Sequence, residues 1–194
     1  MKVLLIAEDF RKDRYILEPV LKKLIAAAGL NAKVTVCIDP FLGGTGEALK
    51  WDRISEIIEM YPMVDLFVLV IDRDGKDGRR ASLDHLETKA RARLASDSRW
   101  FVAENAWQEV EVWALAGIDK KWIKEWEWNA IRNEVDPKEV YFEKVAQQRG
   151  LLNEPGQGRT TLGREAAQNY PRIRTLCPED VAKLEQRIRD LNGA

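Results

Sequence analysis

An apolar run that stops at two closely spaced aspartates constrains this chain more than any other stretch of its sequence. Residues 66–71 are six consecutive apolar residues, which is typical of a strand buried on both faces of a parallel sheet. The run stops at Asp72-Arg73-Asp74-Gly75. Open α/β sheets bind ligands beyond the carboxyl ends of their strands, so these carboxylates are candidate ligands. Their hard oxygen atoms suit Mg²⁺, Mn²⁺ or Ca²⁺.

A turn that only caps the next helix is the alternative interpretation of these residues, because Asp and Gly are common in turns. Acidic residues at other strand ends argue against this alternative. Glu8 follows a predicted strand at residues 2–7, and Glu104 follows another at residues 100–103. Because parallel strands end at one edge of a sheet, we expect these carboxylates to converge on the aspartates.

The order of apolar runs and amphipathic segments predicts the fold class. Strands are expected at residues 2–7, 31–38, 66–71 and 100–103, with helices at residues 13–28, 47–61 and 79–95 between them. This alternation predicts an α/β fold with a doubly wound, mostly parallel sheet of four or slightly more strands. Its crossover connections are expected to be right-handed.

A further helix is predicted at residues 105–116, where Asn105 and Gln108 have the spacing of a capping box. Glu111 borders the apolar face of this helix. An unpaired buried carboxylate is costly, so Glu111 is expected to bind a cation or to form a salt bridge with a neighbouring arginine. Glu109 is expected to point elsewhere, since residues two apart on a helix do not share a face.

The character of the sequence changes after Gly117. Helices rich in charged and aromatic residues are expected at residues 120–128, 136–148 and 159–167, followed by a last helix ending near Leu191. Trp122 and Trp126 are one turn apart and are expected to pack on the core. We therefore divide the chain into an α/β core, residues 1–117, and a helical lobe, residues 118–194, which together form one structural domain.

Composition excludes several classes of function. The chain has 194 residues with 31 Lys and Arg against 32 Asp and Glu, so nucleic-acid binding would need a local basic patch. Its single histidine, His85, rules out multi-histidine metal sites. Cys37 and Cys177 lack zinc-site spacing and favour a reducing cytoplasm. The N-terminal apolar run is too short for a signal peptide, and no run approaches the roughly 18 residues of a membrane span.

Together these residues resemble the Toprim superfamily, the metal-dependent domain of topoisomerases, primases and OLD-type nucleases. Glu8 and Asp72-Arg73-Asp74 match its glutamate after the first strand and its Asp-x-Asp after the third. The chain is more closely similar to a small, uncharacterised bacterial Toprim-like family often encoded beside ATPases in phage-defence loci. Asp9 departs from that family's glycine, and Asp13 corresponds to its second acidic residue. The other matching segments are Leu17-Glu18-Pro19-Val20-Leu21, Gly43-Gly44, Glu111-Val112-Trp113, Asp136-Pro137, Arg159 and Tyr170.

The resemblance implies a Mg²⁺- or Mn²⁺-dependent nuclease that hydrolyses the phosphodiester bonds of nucleic acid, DNA in preference to RNA. It also implies an ATPase as a partner protein. The metal ligands would be Glu8, Asp72, Asp74 and Glu111, with Glu8 also acting as the catalytic base. The residues expected to hold the phosphate backbone are Arg73, Arg79, Arg80, Arg159 and Arg164.

Two other functions are compatible with the same residues. A non-catalytic Toprim-like module that docks on an ATPase would keep the fold without binding metal. A receiver domain would accept a phosphoryl group on Asp72, with Mg²⁺ bound by Glu8 and Asp9. The receiver hypothesis is weakened because no lysine follows a fifth predicted strand.

Overall fold

The computed structural model describes residues 1–96 and 98–191 and confirms the predicted α/β class. Its four strands form one all-parallel sheet in the order β2-β1-β3-β4. The predicted helical lobe extends to residue 194, and residues 192–194 lie outside the described part of the chain. The strands are β1 (Lys2–Ala7), β2 (Lys33–Val36), β3 (Leu66–Asp72) and β4 (Trp100–Ala106).

The register of the sheet brings the carboxyl ends of its strands together. Ala7 of β1 lies opposite Val70 of β3, and Asp72 lies opposite Ala106 of β4. The strand order reverses between β1 and β3, because β2 lies on the other side of β1. This reversal is the topological switch point, where doubly wound sheets bind their ligands.

Helices cover both faces of the sheet, as a doubly wound fold requires. Alternate strand residues point to opposite faces, so Leu4 and Leu5 enter two different apolar clusters. The Leu4 face packs against α3 (Trp51–Met60) and α4 (Arg79–Leu94). The Leu5 face packs against α1 (Phe10–Ala27) and α5 (Glu111–Gly117). A short helix, α2 (Thr45–Ala48), lies in the loop after β2.

The helices after Gly117 extend the apolar cluster on the Leu5 face. Phe142 and Leu184 are fully buried members of the same cluster as Leu5 and Trp113. The helices are α6 (Trp128–Asn133), α7 (Glu143–Gln148), α8 (Arg159–Gln168), α9 (Tyr170–Leu176) and α10 (Lys183–Leu191). Single π-helical turns, Lys138–Phe142 and Pro178–Ala182, lead into α7 and α10. The C-terminal helices and the sheet therefore share one core.

Helix α8 packs so closely that glycine is required at two of its contacts. A Cβ atom on Gly163 would lie 2.3 Å from the carbonyl oxygen of Tyr15 in α1. A Cβ atom on Gly117 would lie 2.5 Å from the Cα atom of Ala166 in α8. Any larger residue at either position would push α8 away from the core, and α8 carries Arg159.

The predicted elements differ most from the structure after residue 103. Strand β4 continues to Ala106 and α5 begins only at Glu111, because Asn105 and Ala106 remain paired with β3. The predicted helix at residues 120–128 is instead a 3₁₀ turn, Lys120–Trp122, followed after a break by α6. Helix α9 was not predicted. Trp122 and Trp126 do pack against the core as expected.

Within the described residues, no helix combines the length and the apolar character needed to cross a lipid bilayer.

Candidate metal centre

The two strands at the switch point bring Glu8 against Asp72. Glu8 follows β1, and one of its carboxylate oxygens, Oε2, accepts a hydrogen bond from the backbone N–H of Asp72 at 3.3 Å. The same oxygen accepts a second bond from the hydroxyl of Thr45 at 2.8 Å. The predicted convergence of these two strand ends is therefore present. Thr45, which sequence reasoning did not select, orients the Glu8 carboxylate.

The loop after β4 holds the Asp-x-Asp turn in place. The backbone carbonyl of Gln108 accepts hydrogen bonds from the N–H groups of Arg73 at 2.8 Å and Asp74 at 3.2 Å. Its side-chain oxygen accepts from the N–H of Gly75 at 2.9 Å. Asp74 and Gln108 both have left-handed backbone conformations, with φ of 50° and 68°. Two tight turns that brace each other thus set the direction of the aspartate side chains.

Asp72, Asp74 and Glu109 form a group that could hold a metal ion. One carboxylate oxygen from each lies within 4.8 Å of the others. Glu109 was expected to point away because it was assigned to a helix. The helix begins at Glu111, so Glu109 lies in the preceding turn and helical periodicity does not apply to it. The side chain of Glu109 also accepts a hydrogen bond from the backbone N–H of Lys138 at 3.0 Å.

The carboxylates of this region raise one another's pKa. Burial is the main cause of a pKa of Asp72 well above its usual range, and the nearby charges of Glu111 and Glu8 add to the effect. Burial, followed by the charge of Glu111, raises the pKa of Glu109 to about 7. Burial and then Glu111 likewise raise the pKa of Asp13 to about 7. A bound cation would reverse these effects, because it favours the ionised form.

Few positive charges offset this group. Arg79 donates a hydrogen bond to Asp74 at 2.9 Å. Across residues 1–96 and 98–191, no lysine, arginine or histidine forms an ion pair with Glu8, Asp13, Asp72 or Glu109. Carboxylates that are partly or fully buried without a counter-ion are costly, and they either bind a proton or bind a cation.

Glu111 forms a salt bridge with an arginine, which was the alternative to cation binding in the sequence-based prediction. It forms an ion pair with Arg159 of α8, and both side chains are almost fully buried, at 3% and 4% exposed. Arg159 also donates to the carbonyl oxygen of Gly156 at 3.1 Å. Glu111 is not a member of the three-residue group that could hold a metal ion. The guanidinium of Arg159 is likewise directed into the core instead of towards a surface ligand.

The other predicted phosphate-binding arginines lie at two separate places. Arg73 lies between the two aspartates, and Arg79 donates to Asp74. Arg80, in the first turn of α4, donates instead to Asp84, Glu87 and Glu104. Arg73 lies over the ring of Trp107, with 4.0 Å between its guanidinium carbon and the ring centre. Arg164 is exposed on α8 and lines a cavity that none of the clustered carboxylates borders.

No protein-family model, curated protein or solved structure matches this chain. Because a doubly wound fold supports many unrelated activities, the chemistry has to be inferred from the residues of the site. These residues are hard oxygen donors at the switch point, with arginines beside them. They can bind a hard divalent cation and, next to it, an anion.

Proposed function

We propose that this protein is a Mg²⁺- or Mn²⁺-dependent nuclease whose site is centred on Asp72, Asp74 and Glu109. One observation carries the proposal: three carboxylate oxygens lie within 4.8 Å of one another, and two of the three residues have no counter-ion among the described residues. The resemblance of Glu8 and the Asp-x-Asp turn to the motifs of the Toprim superfamily supports the same chemistry.

The donor set fits a hard cation. All three donors are carboxylates, and the free cysteines, Cys37 and Cys177, are buried elsewhere in the core. Mg²⁺ and Mn²⁺ prefer such oxygen ligands, and Mg²⁺ commonly keeps several waters beside a few carboxylates. When bound, such an ion supplies a water of lowered pKa and neutralises charge on a phosphate group.

The residues around these donors have distinct roles in the proposed reaction. Glu8 is the candidate base, since burial raises its pKa and brings it closer to the working pH. The hydroxyl of Thr45 holds the Glu8 carboxylate in one orientation. Arg79 fixes Asp74 by an ion pair at 2.9 Å. Arg73 is the candidate to bind phosphate oxygens of the substrate, whereas Arg80 already donates to Asp84, Glu87 and Glu104.

The experiment is cleavage of plasmid DNA and of a structured RNA in Mg²⁺, Mn²⁺ or EDTA. The wild-type protein is expected to cleave DNA in either metal and to be inactive in EDTA. Asp72→Asn and Glu109→Gln are expected to lose cleavage, whereas the exposed variants Asp52→Asn and Glu125→Gln keep it. Full activity of Asp72→Asn would refute the site. Because the family resemblance points to an ATPase partner, the assay is repeated with any ATPase encoded beside the gene.

A non-catalytic module that docks on such an ATPase is the second candidate. The ion pair between Arg79 and Asp74 favours it, because a resident cation already neutralises one of the three carboxylates. Calorimetry with Mn²⁺ separates the candidates: the nuclease requires saturable binding that Asp72→Asn removes, and the docking module shows none. The receiver hypothesis lacks comparable support, since the described residues contain no fifth strand to carry its lysine.

A further inference from the structure

A cavity of about 240 Å³ adjoins the candidate metal centre. It lies between the turn after β3, the start of α4, the loop after β4 and the start of α10. Its basic lining residues are Arg73, Lys76, Arg79, Arg80 and Lys183. Arg79 connects the cavity with the metal centre, because it also donates to Asp74 at 2.9 Å.

The cavity has more positive than negative charge. Beside the five basic residues it has three acidic ones, and each of the three already lies in an ion pair. These pairs are Asp77 with Arg73 at 2.6 Å, Glu104 with Arg80 at 3.1 Å and Glu179 with Arg132 at 3.0 Å. Lys76 and Lys183 form no ion pair with any described residue. The uncompensated charge is therefore cationic, in contrast to the neighbouring metal centre.

Two buried N–H groups of the cavity's residues have no acceptor. The Nε of Arg79 and the indole Nε1 of Trp107 are both buried without a hydrogen-bond partner. Arg79 is only 7% exposed, and both residues line the cavity. Each group is a donor only, and a buried donor is costly until it meets an acceptor. A ligand that satisfies them must bring acceptor oxygens.

The start of α4 adds to the positive character of the cavity. This 16-residue helix begins at Arg79, and its N-cap residue Gly78 has no side chain to accept from the first N–H groups. Its first turn contains no acidic residue but two arginines, Arg79 and Arg80. The helix dipole favours negative charge at this end, so the sequence here is the opposite of what an isolated helix prefers. An anion in the cavity would supply the missing negative charge.

We propose that this cavity binds a phosphate group of the nucleic-acid substrate, next to the phosphate that is cleaved. A backbone phosphodiester group has only acceptor oxygens, which suit the unpartnered N–H groups of Arg79 and Trp107. Its negative charge suits Lys76 and Lys183. The identity of the ligand as nucleic acid depends on the proposed nuclease function. Binding of the phosphate group itself depends only on the cavity, so the two can fail separately.

The first test uses inorganic phosphate with the full chain in EDTA, at constant ionic strength set by chloride. The indole N–H resonance of Trp107, identified by its absence in Trp107→Phe, is followed by NMR. Phosphate is expected to shift this resonance saturably and downfield, as a new hydrogen bond does. No saturable shift, or an equal shift with chloride alone, would overturn the proposal.

Matched variants assign the binding to this cavity. Lys76→Gln combined with Lys183→Gln is expected to weaken phosphate binding roughly tenfold or more. Lys120→Gln combined with Lys124→Gln removes the same charge from exposed positions elsewhere and is expected to bind as the wild type does. Equal binding by both double variants would refute the assignment. Asp72→Asn is expected to lose cleavage but keep phosphate binding, which separates failure of the nuclease from failure of the cavity.

Oligonucleotides distinguish a terminal from a backbone phosphate. Binding of one labelled sequence with a 5′-phosphate and with a 5′-hydroxyl is measured in EDTA. A gain from the 5′-phosphate that Lys76→Gln/Lys183→Gln removes would place a terminal phosphate in the cavity. Equal weakening of both oligonucleotides by that variant would place a backbone phosphate there. Unchanged affinity for both would overturn the proposal.

Discussion

Acidic side chains are removed from water in two regions of this molecule, and the regions differ in how completely ion pairs neutralise them. In the C-terminal helices, Asp180 is 2% exposed and accepts hydrogen bonds from both terminal nitrogens of Arg132, at 2.8 and 3.1 Å. It also accepts from the indole N–H of Trp113 at 2.7 Å and the backbone N–H of Trp107 at 2.8 Å. Every oxygen of Asp180 is satisfied by this chain's own groups.

The switch point of the sheet is different. Asp72 accepts one backbone hydrogen bond, from Val110 at 2.9 Å, and Glu109 accepts one from Lys138 at 3.0 Å. Neither forms an ion pair with a described residue, and the pKa of each is raised by burial and by neighbouring carboxylates. A neutralised acid serves the stability of the fold. A buried acid without a counter-ion is costly until it binds a proton or a cation.

The largest effect that tests this comparison is expected at Arg132. Arg132→Met leaves Asp180 buried without its cation and is expected to lower the free energy of unfolding by about 3–5 kcal/mol. Urea unfolding measures the change. Arg164→Met, on the exposed face of α8, is the control and is expected to change stability by less than about 0.5 kcal/mol. A loss below 1 kcal/mol at Arg132 would mean that the pair does not stabilise the fold.

The metal centre is expected to respond to Mn²⁺ with a smaller effect. At a Mn²⁺ concentration about 100 times its dissociation constant, the free energy of unfolding should rise by about 2.7 kcal/mol. The reason is that the ion binds only the folded carboxylates. Thermal unfolding with and without Mn²⁺ measures it. Glu109→Gln should lose most of this gain, and a gain retained in full would exclude Glu109 as a ligand.

The pH dependence of the metal-free protein also tests this comparison. The pKa values of Asp13 and Glu109 are about 7 when folded, above those of an unfolded chain, so the folded state holds more protons between these values. Stability should therefore be fully present at low pH and fall as pH rises from about 5 to 8, by up to roughly 2–3 kcal/mol for each of the two groups. Urea unfolding in EDTA at both pH values checks this.

Two variants sharpen the pH measurement. Glu109→Gln removes one of the titrating groups and should make stability less dependent on pH. Glu125→Gln changes an exposed glutamate and should leave the dependence as in the wild type. Stability that rises between pH 5 and pH 8 would show that these carboxylates have found counter-ions after all.

Local sequence patterns predicted the fold and part of the site. The apolar run of β3 and the alternation around it were sufficient for the parallel sheet, because burial on both faces removes polar residues from such a strand. They also placed Glu8 and the Asp-x-Asp turn at one edge. Helix boundaries were less accurate near residue 107, where a capping-box pattern suggested a start at residue 105, six residues before the observed start at Glu111.

That boundary decided the roles of two glutamates. Glu109 was set aside by a helical argument that does not apply in a turn, and the structure places it with Asp72 and Asp74. Glu111 was selected for a position on an apolar face, and it meets Arg159 instead. Nothing in the local sequence distinguishes these outcomes, since Arg159 lies 48 residues further along the chain.

The amino-acid sequence alone determined at which edge of the sheet Glu8 and the Asp-x-Asp turn would lie, since strand ends and parallel connections follow from hydrophobic pattern and connection rules. Only the tertiary structure decided which acids at that edge are neutralised and which are not. Ion pairs such as Glu111 with Arg159, and Asp180 with Arg132, join residues that are 48 positions apart. Helices α8 and α6 supply the arginines of those two pairs, and no described residue forms an ion pair with Asp72 or Glu109.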